Sequence, residues 1–188
     1  MDSHSEDLRL AARVAEGDPV ASAAFAERLA PRVRRLARSL YLGGHSDWED
    51  AAQCSLVELL RAAHGYGGRS SLERWADRIT IRTTLRLAKA RRRERELGAE
   101  DHGGEELAAP FESDHGDVAR HLASLDDDRR AVVVLRHVFG YGIDEIAELT
   151  RASRNTVKDR LVQGRRLLRK RIRRDELTPE LRVLRGGA

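Results

Sequence analysis

Residues 143–161, IDEIAELTRASRNTVKDRL, decide the fold of the second half of the chain. Apolar residues recur every three or four positions on both sides of a short polar break, which predicts two amphipathic helices joined by a turn. The turn covers Thr150-Arg151-Ala152, and the following Ser153 is a good N-cap for the second helix. A short helix, a tight turn and a longer basic helix are typical of the helix-turn-helix motif.

The second of these helices continues to about Arg174 and has two unlike faces. At about 100° per residue its apolar residues share one side, which predicts a buried face. The opposite side is polar at the start of the helix, where recognition helices contact base edges. The residues on and beside that side are the candidate DNA-binding residues Arg154, Asn155, Thr156, Lys158, Asp159, Arg160, Gln163 and Arg166. A generic helical hairpin has the same amphipathic pattern and is the alternative.

The first half of the chain has the same helical spacing, and strand signals are almost absent. Asp18 followed by Pro19 predicts an N-cap and a first-turn proline. Pro31 is expected to break or restart the helix that follows, because proline removes a backbone donor and clashes with the preceding turn. The chain as a whole is therefore predicted to be all-α.

Two capping boxes predict the starts of the next two helices. The first is Ser46 with Glu49, and the second is Ser70 with Glu73. A Gly-rich loop at residues 64–69 separates these helices, and the second helix ends in a run of three arginines.

Composition changes sharply between Leu97 and Asp117, where there are seven acidic residues and no Lys or Arg. Glycines and a proline are scattered through this segment, which is typical of a flexible linker. The chain is thus predicted to contain one domain at residues 5–96, an acidic flexible linker at 97–116 and a second domain at 117–175. The acidity of the linker either has a function beside two basic domains or belongs to a solvated tether.

Charge and composition limit the classes of function. The 188-residue chain carries a net charge of +4, which favours an anionic partner, and its basic residues are nearly all arginine. One cysteine, Cys54, excludes an internal disulfide, and we find neither a signal peptide nor an apolar run long enough for a membrane span. We expect a cytoplasmic protein without membrane insertion. No catalytic, metal-binding or cofactor-binding motif is present, so we expect neither an enzyme nor a cofactor.

The second half of the chain resembles region 4 of bacterial sigma factors. The resemblance covers Glu145-Ile146-Ala147, residues 153–161 and residues 164–169, where the family typically reads E-I-A, then S-x-G-T-V-K-S-R-L, then a basic segment with L-R. Two departures lie on the polar side of the helix: Asn155 stands in place of the usual Gly, and Asp159 in place of the usual Ser.

The first half resembles sigma region 2, more loosely. Residues 47–53 match a D-x-E-D-x-x-Q helix, and residues 70–79 match S-S-L-x-x-W-x-x-R-I ahead of a basic helix. Together the two halves resemble a small sigma factor of the extracytoplasmic-function (ECF) type, with a region 2 helical bundle and a region 4 helix-turn-helix. Cys54 and Leu56 replace the usual Glu and Phe, which alters the docking helix.

The resemblance implies partners and roles for the first domain. The helix at 47–53 would dock on core RNA polymerase through Asp47, Glu49, Asp50 and Gln53. The Gly-rich loop and the helix after it would engage the minus-10 element of promoter DNA, with Tyr66 contacting a flipped base or simply packing. Arg82 falls where many relatives carry an Asn near the base pocket. The side chains expected to meet phosphates are Arg86, Lys89, Arg91, Arg92 and Arg93.

The resemblance also implies that the second domain would read the minus-35 element. An anti-sigma factor is a usual further partner in the family.

Two rival functions remain. A free-standing helix-turn-helix regulator would bind operators without polymerase, although residues 47–93 would then be superfluous. A protein-interaction adaptor would use its basic helices for an acidic partner instead of DNA.

Overall fold

A computed structural model of the chain describes residues 3–41, 45–97 and 116–185. Within these ranges the backbone is helical with short connections and no strand, which confirms the all-α prediction. The chain divides into two compact units, residues 1–108 and 109–188. None of the helices in the described ranges has an apolar stretch that could cross a membrane. Residues 98–115, which make up most of the predicted acidic linker, lie outside the described residues.

Four α-helices and one short 3-10 turn build the first unit. The helices are α1 (Ser3–Ala15), α2 (Pro19–Leu40), α3 (His45–Ala62) and α4 (Leu72–Leu97), and the 3-10 turn covers Ala63–Gly65. Helices α2, α3 and α4 all pack against one another, and α1 packs on α2. Their buried faces hold an aliphatic core around Leu29, Leu36 and Leu59.

Aromatic rings close one end of this core. Trp75 of α4 lies edge-on to Phe25 of α2, with ring centroids 6.4 Å apart. The ring of Tyr66 is 5.5 Å from the ring of Trp75, also in an edge arrangement. Such contacts add a modest stabilisation to the burial of the rings themselves. Trp75 is partly buried and packs against the core.

Buried carboxylates fix α1 and α4 against α2. The guanidinium of Arg32 donates to both oxygens of Asp77, at 2.5 and 2.6 Å, and the Asp77 side chain is fully buried. One turn earlier, Arg28 donates to Asp7 at 2.5 Å and to Glu73 at 2.8 Å. A carboxylate out of contact with water needs such partners, because an unpaired buried charge is costly. These pairs therefore hold the helices in one register.

The predicted start of α2 is confirmed, and its predicted break is wrong. The side chain of Asp18 accepts hydrogen bonds from the backbone amides of Val20 and Ala21, with Pro19 in the first turn. Pro31, in contrast, lies inside a continuous helix. Its ring is exposed, and the buried residues Leu29 and Val33 on either side pack into the core. Burial along the whole stripe outweighs one missing backbone hydrogen bond.

Neither predicted capping box coincides with the observed helix start. Helix α3 begins at His45, one residue before Ser46, whose side chain lies outside the described residues. Helix α4 begins at Leu72, and its cap is Ser71 instead of Ser70, because the hydroxyl of Ser71 accepts from the amide of Arg74 at 3.2 Å. Two adjacent serines offer two caps, and the docking of Leu72 in the core selects the second.

The second unit contains α5 (Gly116–Ala123), α6 (Asp127–His137), α7 (Ile143–Thr150) and α8 (Arg154–Arg185). Residues 131–135 of α6 are all buried and form the centre, against which α7 and α8 pack. Gly164 lets α8 approach α6 closely, because a Cβ atom at this position would lie 2.7 Å from Cγ2 of Val133. Real Cβ atoms do not approach that closely, so glycine sets the distance between the two helices.

The turn between α7 and α8 confirms the helix-turn-helix prediction. Arg151 ends α7 in the left-handed conformation, with φ of 53°, and its amide donates to the carbonyls of Ala147 and Glu148. Ser153 caps α8 by accepting from the amide of Thr156 at 3.1 Å. The left-handed residue reverses the chain in a tight turn, so α8 leaves the unit with its polar side outward.

Candidate nucleic-acid and polymerase interfaces

The outward side of α8 carries the residues predicted to read bases. Asn155, Lys158, Asp159 and Arg166 are all exposed. Within the part of the second unit that the structure describes, none of these four makes a hydrogen bond or an ion pair. Their donors and acceptors are therefore available to a ligand, which is what direct readout in a major groove requires.

The other predicted residues of α8 are engaged within the unit. Gln163 accepts two hydrogen bonds from the guanidinium of Arg129 on α6, at 2.6 and 3.0 Å. Arg160 is hydrogen-bonded to Asp128. Arg154 forms an ion pair with Asp144 of α7 at 2.7 Å, although both side chains are about two-thirds exposed. Thr156 shares a hydrogen bond with Ser153 at 2.8 Å.

These contacts divide the predicted DNA-binding residues of α8 into unengaged and engaged side chains. The unengaged side chains lie outward, whereas the engaged ones tie α8 to the start of α6 and to α7. Arg129 and Asp128 were missed by the sequence analysis, because nothing in their local pattern distinguishes them from ordinary charges at a helix start. Val162 also lies on the outward side, as the helical spacing predicts, with 57% of its surface exposed.

The start of α6 is a polar cluster that supports this arrangement. Asp126 caps α6 and binds both the backbone amide and the guanidinium of Arg129. Burial by itself would raise the pKa of Asp126, but the hydrogen bonds from Arg129 outweigh it and lower that pKa. The Asp126 carboxylate therefore stays charged at neutral pH and keeps Arg129 beneath Gln163.

The predicted phosphate-binding residues of α4 lie on its exposed second half. Arg82, Arg86, Lys89, Arg92 and Arg93 are all exposed. Arg86 is hydrogen-bonded to Glu58 of α3, which also accepts from Thr83. Arg86 is therefore partly neutralised in the free chain.

Arg91 bridges α4 to the start of α3. Its guanidinium lies 3.5 Å from the carboxylate of Asp47 and 3.3 Å from that of Glu94. The hydrogen bond to Glu94, followed by the charge of Asp47, raises the pKa of Arg91. The structure thus places the carboxylate of Asp47, only 11% of whose side chain is exposed, against Arg91 of α4.

The remaining docking residues share an exposed face of α3. Glu49, Asp50 and Gln53 are exposed, and Cys54 and Val57 extend the same face. Asp50 and Gln53 make no hydrogen bond or ion pair within residues 3–41, 45–97 and 116–185. Acidic and polar groups around an exposed valine are suited to a protein partner with a basic rim.

Tyr66 packs inside the first unit. Only 6% of its surface is exposed, and its hydroxyl donates to the carbonyl of Ser70 at 3.0 Å. Burial raises the pKa of this hydroxyl, chiefly by desolvation. Of the two roles considered for Tyr66, the structure shows packing; contact with a flipped base would need the loop at 64–69 to open.

Comparisons with known proteins agree for both units. The family model "Sigma-70 region 2" matches residues 25–94, and "Sigma-70, region 4" matches residues 115–168. The ECF RNA polymerase sigma factor SigX of Bacillus subtilis is 31% identical over 142 residues, covering 69% of this chain and 73% of SigX. The ECF RNA polymerase sigma factor SigE of Mycolicibacterium smegmatis is 32% identical over 168 residues, covering 82% of this chain and 64% of SigE.

Solved structures show the same fold. The sigma factor RpoE of Bartonella quintana, solved with the anti-sigma factor NepR, has a TM-score of 0.64 at 21% identity and covers 79% of this chain and 94% of its own. CnrH, solved with the cytosolic domain of CnrY, has a TM-score of 0.59 at 25% identity and covers 93% of this chain and 99% of its own. Both family regions occur here in order, and both units have the folds that those regions predict. The chain therefore belongs to the ECF sigma factors of the sigma-70 family.

Proposed function

We propose that this sigma factor directs core RNA polymerase to its promoters through three separate surfaces. The exposed face of α3, with Glu49, Asp50 and Gln53, docks on core polymerase. The second half of α4 contacts the minus-10 region, and the outward side of α8 reads the minus-35 element. The observation that carries the proposal is the set of unengaged polar side chains on α8, held outward by the contacts of α6 and α7.

In this proposal the protein acts by binding polymerase and promoter DNA, and it catalyses no reaction itself. We propose that the protein acts in the cytoplasm, where core polymerase and promoters are found. RpoE was solved in complex with the anti-sigma factor NepR, and CnrH in complex with the cytosolic domain of CnrY. This supports the further proposal that an anti-sigma factor binds the present chain.

Run-off transcription from a randomised promoter library tests the assignment. Purified core polymerase together with this protein should produce transcripts from templates that share one minus-10 and one minus-35 sequence. Core polymerase alone is the control. Template binding without polymerase, and no added transcripts with it, would support the free-standing regulator instead.

Replacing Arg91, Arg92 and Arg93 together with Ala should weaken promoter binding about equally for all sequences. Neutralising a phosphate releases counterions, so the slope of log affinity against log salt should flatten by about 0.9 for each phosphate that is no longer neutralised. The flattening should be smaller than three fully charged arginines predict, because Asp47 and Glu94 already neutralise part of the charge of Arg91. A changed sequence preference with an unchanged salt slope would make these arginines base readers.

Asp159→Ser should relax a cytosine preference at one position of the minus-35 element. A carboxylate on a recognition helix is repelled by phosphates, and its natural donor among the bases is the cytosine N4 amino group. Discrimination of about 1–3 kcal/mol is typical of a good base contact. Selection from randomised minus-35 sequences with both proteins measures the preference.

The competing role of Asp159 is to orient Arg166 or the amide of Gln163. In the free protein the carbonyl oxygen of Gln163 accepts from Arg129, and Asp159 has no partner among the described residues. A positioning role predicts a diffuse change in affinity after Asp159→Ser. The same selected motif for both proteins would contradict direct reading.

A further inference from the structure

Helix α8 extends beyond the sigma region 4 match. The match ends at residue 168, whereas the helix runs without interruption to Arg185. From Arg160 to Arg174 the sequence contains eight basic residues and no acidic one. Among the α8 residues beyond the match whose side chains the structure describes, the basic ones are Arg169, Lys170, Arg171, Arg173 and Arg174, and all of them are exposed.

Some of these residues continue the outward side of α8. At about 100° per residue, Arg169 and Arg173 fall on the same side of the helix as Asn155, Asp159 and Arg166. At about 1.5 Å per residue, the side from Asn155 to Arg173 is about 27 Å long. The first part of this side is a mixed polar surface suited to base edges, and the last part is uniformly basic.

The extension contacts α5. His121 of α5 lies 3.6 Å from the carboxylate of Asp175, the last residue of α8 whose side chain is described. Helices α5 and α8 are in contact. The basic side chains between residues 168 and 175 thus belong to the same continuous helix as the predicted reading residues.

Packing does not account for the composition of this extension. Arg165 and Arg169, and likewise Arg169 and Arg173, are like charges four residues apart, and such pairs destabilise a helix. An anionic partner removes that repulsion. A recognition helix that enters the major groove leads its later turns past the phosphates at the edge of the groove.

We propose that the outward basic side chains beyond the family match, with Arg169 and Arg173 at their centre, bind the DNA phosphate backbone next to the minus-35 element. This rests on the proposed reading function of α8 and adds a sequence-independent contact to it. Phosphate contacts fix the position of a protein on the duplex and strengthen binding to every sequence alike.

The test uses the full chain bound to core polymerase, with Arg169→Ala combined with Arg173→Ala. Alanine favours helix, so α8 should persist, which circular dichroism checks. The matched control is Arg9→Ala combined with Arg34→Ala, which removes the same charge from exposed positions of α1 and α2. Promoter affinity is measured against salt concentration, and the minus-35 preference is measured by selection.

The salt slope of the α8 variant should be lower by about 1.8, which is 0.9 for each of two phosphates. The ratio of the promoter affinity of the parent to that of the variant should therefore fall about tenfold between about 50 mM and about 200 mM salt. The minus-35 preference and the affinity for core polymerase should not change, and the control variant should keep the parent slope.

Other results would overturn the proposal. If the variant keeps the parent salt slope while the parent still selects a minus-35 sequence, phosphate binding by Arg169 and Arg173 is rejected. The proposed reading function of α8 then stands. Weaker core binding by the α8 variant would make the basic face a polymerase surface. A parent without any minus-35 preference would reject the proposed reading function, and the salt slopes would still decide whether Arg169 and Arg173 bind phosphates.

Discussion

Asp50→Arg combined with Gln53→Ala should lower the affinity for core polymerase by about 30-fold or more. Breaking a hydrogen-bonded charge contact at an interface costs about 2–5 kcal/mol, and a reversed charge adds repulsion. Both residues are exposed on α3, with no hydrogen bond or ion pair to the rest of the described chain. The change should therefore leave helicity and thermal stability close to those of the parent.

Two measurements make this result specific. Glu27→Arg is the control, because it also reverses an exposed acidic residue, on α2 away from the docking face. Cys54, the single cysteine of the chain, lies exposed on that face and reports its burial. Core polymerase should slow maleimide labelling of Cys54 in the parent and in the control. Equal affinity of the double variant and the parent would reject the docking surface.

Arg32→Met should destabilise the first unit by about 3 kcal/mol. The substitution leaves the fully buried carboxylate of Asp77 without the guanidinium that binds both of its oxygens. Removing one partner of a buried ion pair typically costs about 3–5 kcal/mol, because an uncompensated charge remains. The partial exposure of Arg32, at 39% of its side chain, places the expected cost at the lower end of that range.

The free energy of unfolding is measured by denaturant titration with tryptophan fluorescence. Both tryptophans, Trp48 and Trp75, are in the first unit, so the signal reports that unit alone. Arg34→Met is the matched control on the exposed side of the same helix. Adding Asp77→Asn to Arg32→Met should recover part of the stability, because no buried charge then remains. A double variant that loses as much stability as Arg32→Met and Asp77→Asn lose in sum would show that the pair is not coupled.

The local pattern of the sequence was sufficient to predict the helix-turn-helix and two of the helix caps. Periodic apolar residues located the helix-turn-helix, and side chains next to the first helical turn identified the caps at Asp18 and Ser153. These signals depend on residues within one or two turns of each other. Helix formation and capping are governed at that range.

The sequence was misleading where packing competes with a local preference. Pro31 breaks helices by its own chemistry, yet α2 continues through it because Leu29 and Val33 are buried on both sides. From the local sequence Ser70 and Ser71 are nearly equally suitable as N-caps, and the burial of Leu72 decided between them.

Which charged residues find partners within the protein was decided by the tertiary structure. Arg129 binds Gln163 across 34 residues of sequence, and Asp47 lies beside Arg91 only because α3 and α4 pack together. In the sequence, Gln163 resembles Asn155, and Asp47 resembles Asp50. Local periodicity predicts which side of a helix a residue occupies. The partner that a charge meets there depends on which distant helix packs against that side, and only the folded chain brings the two together.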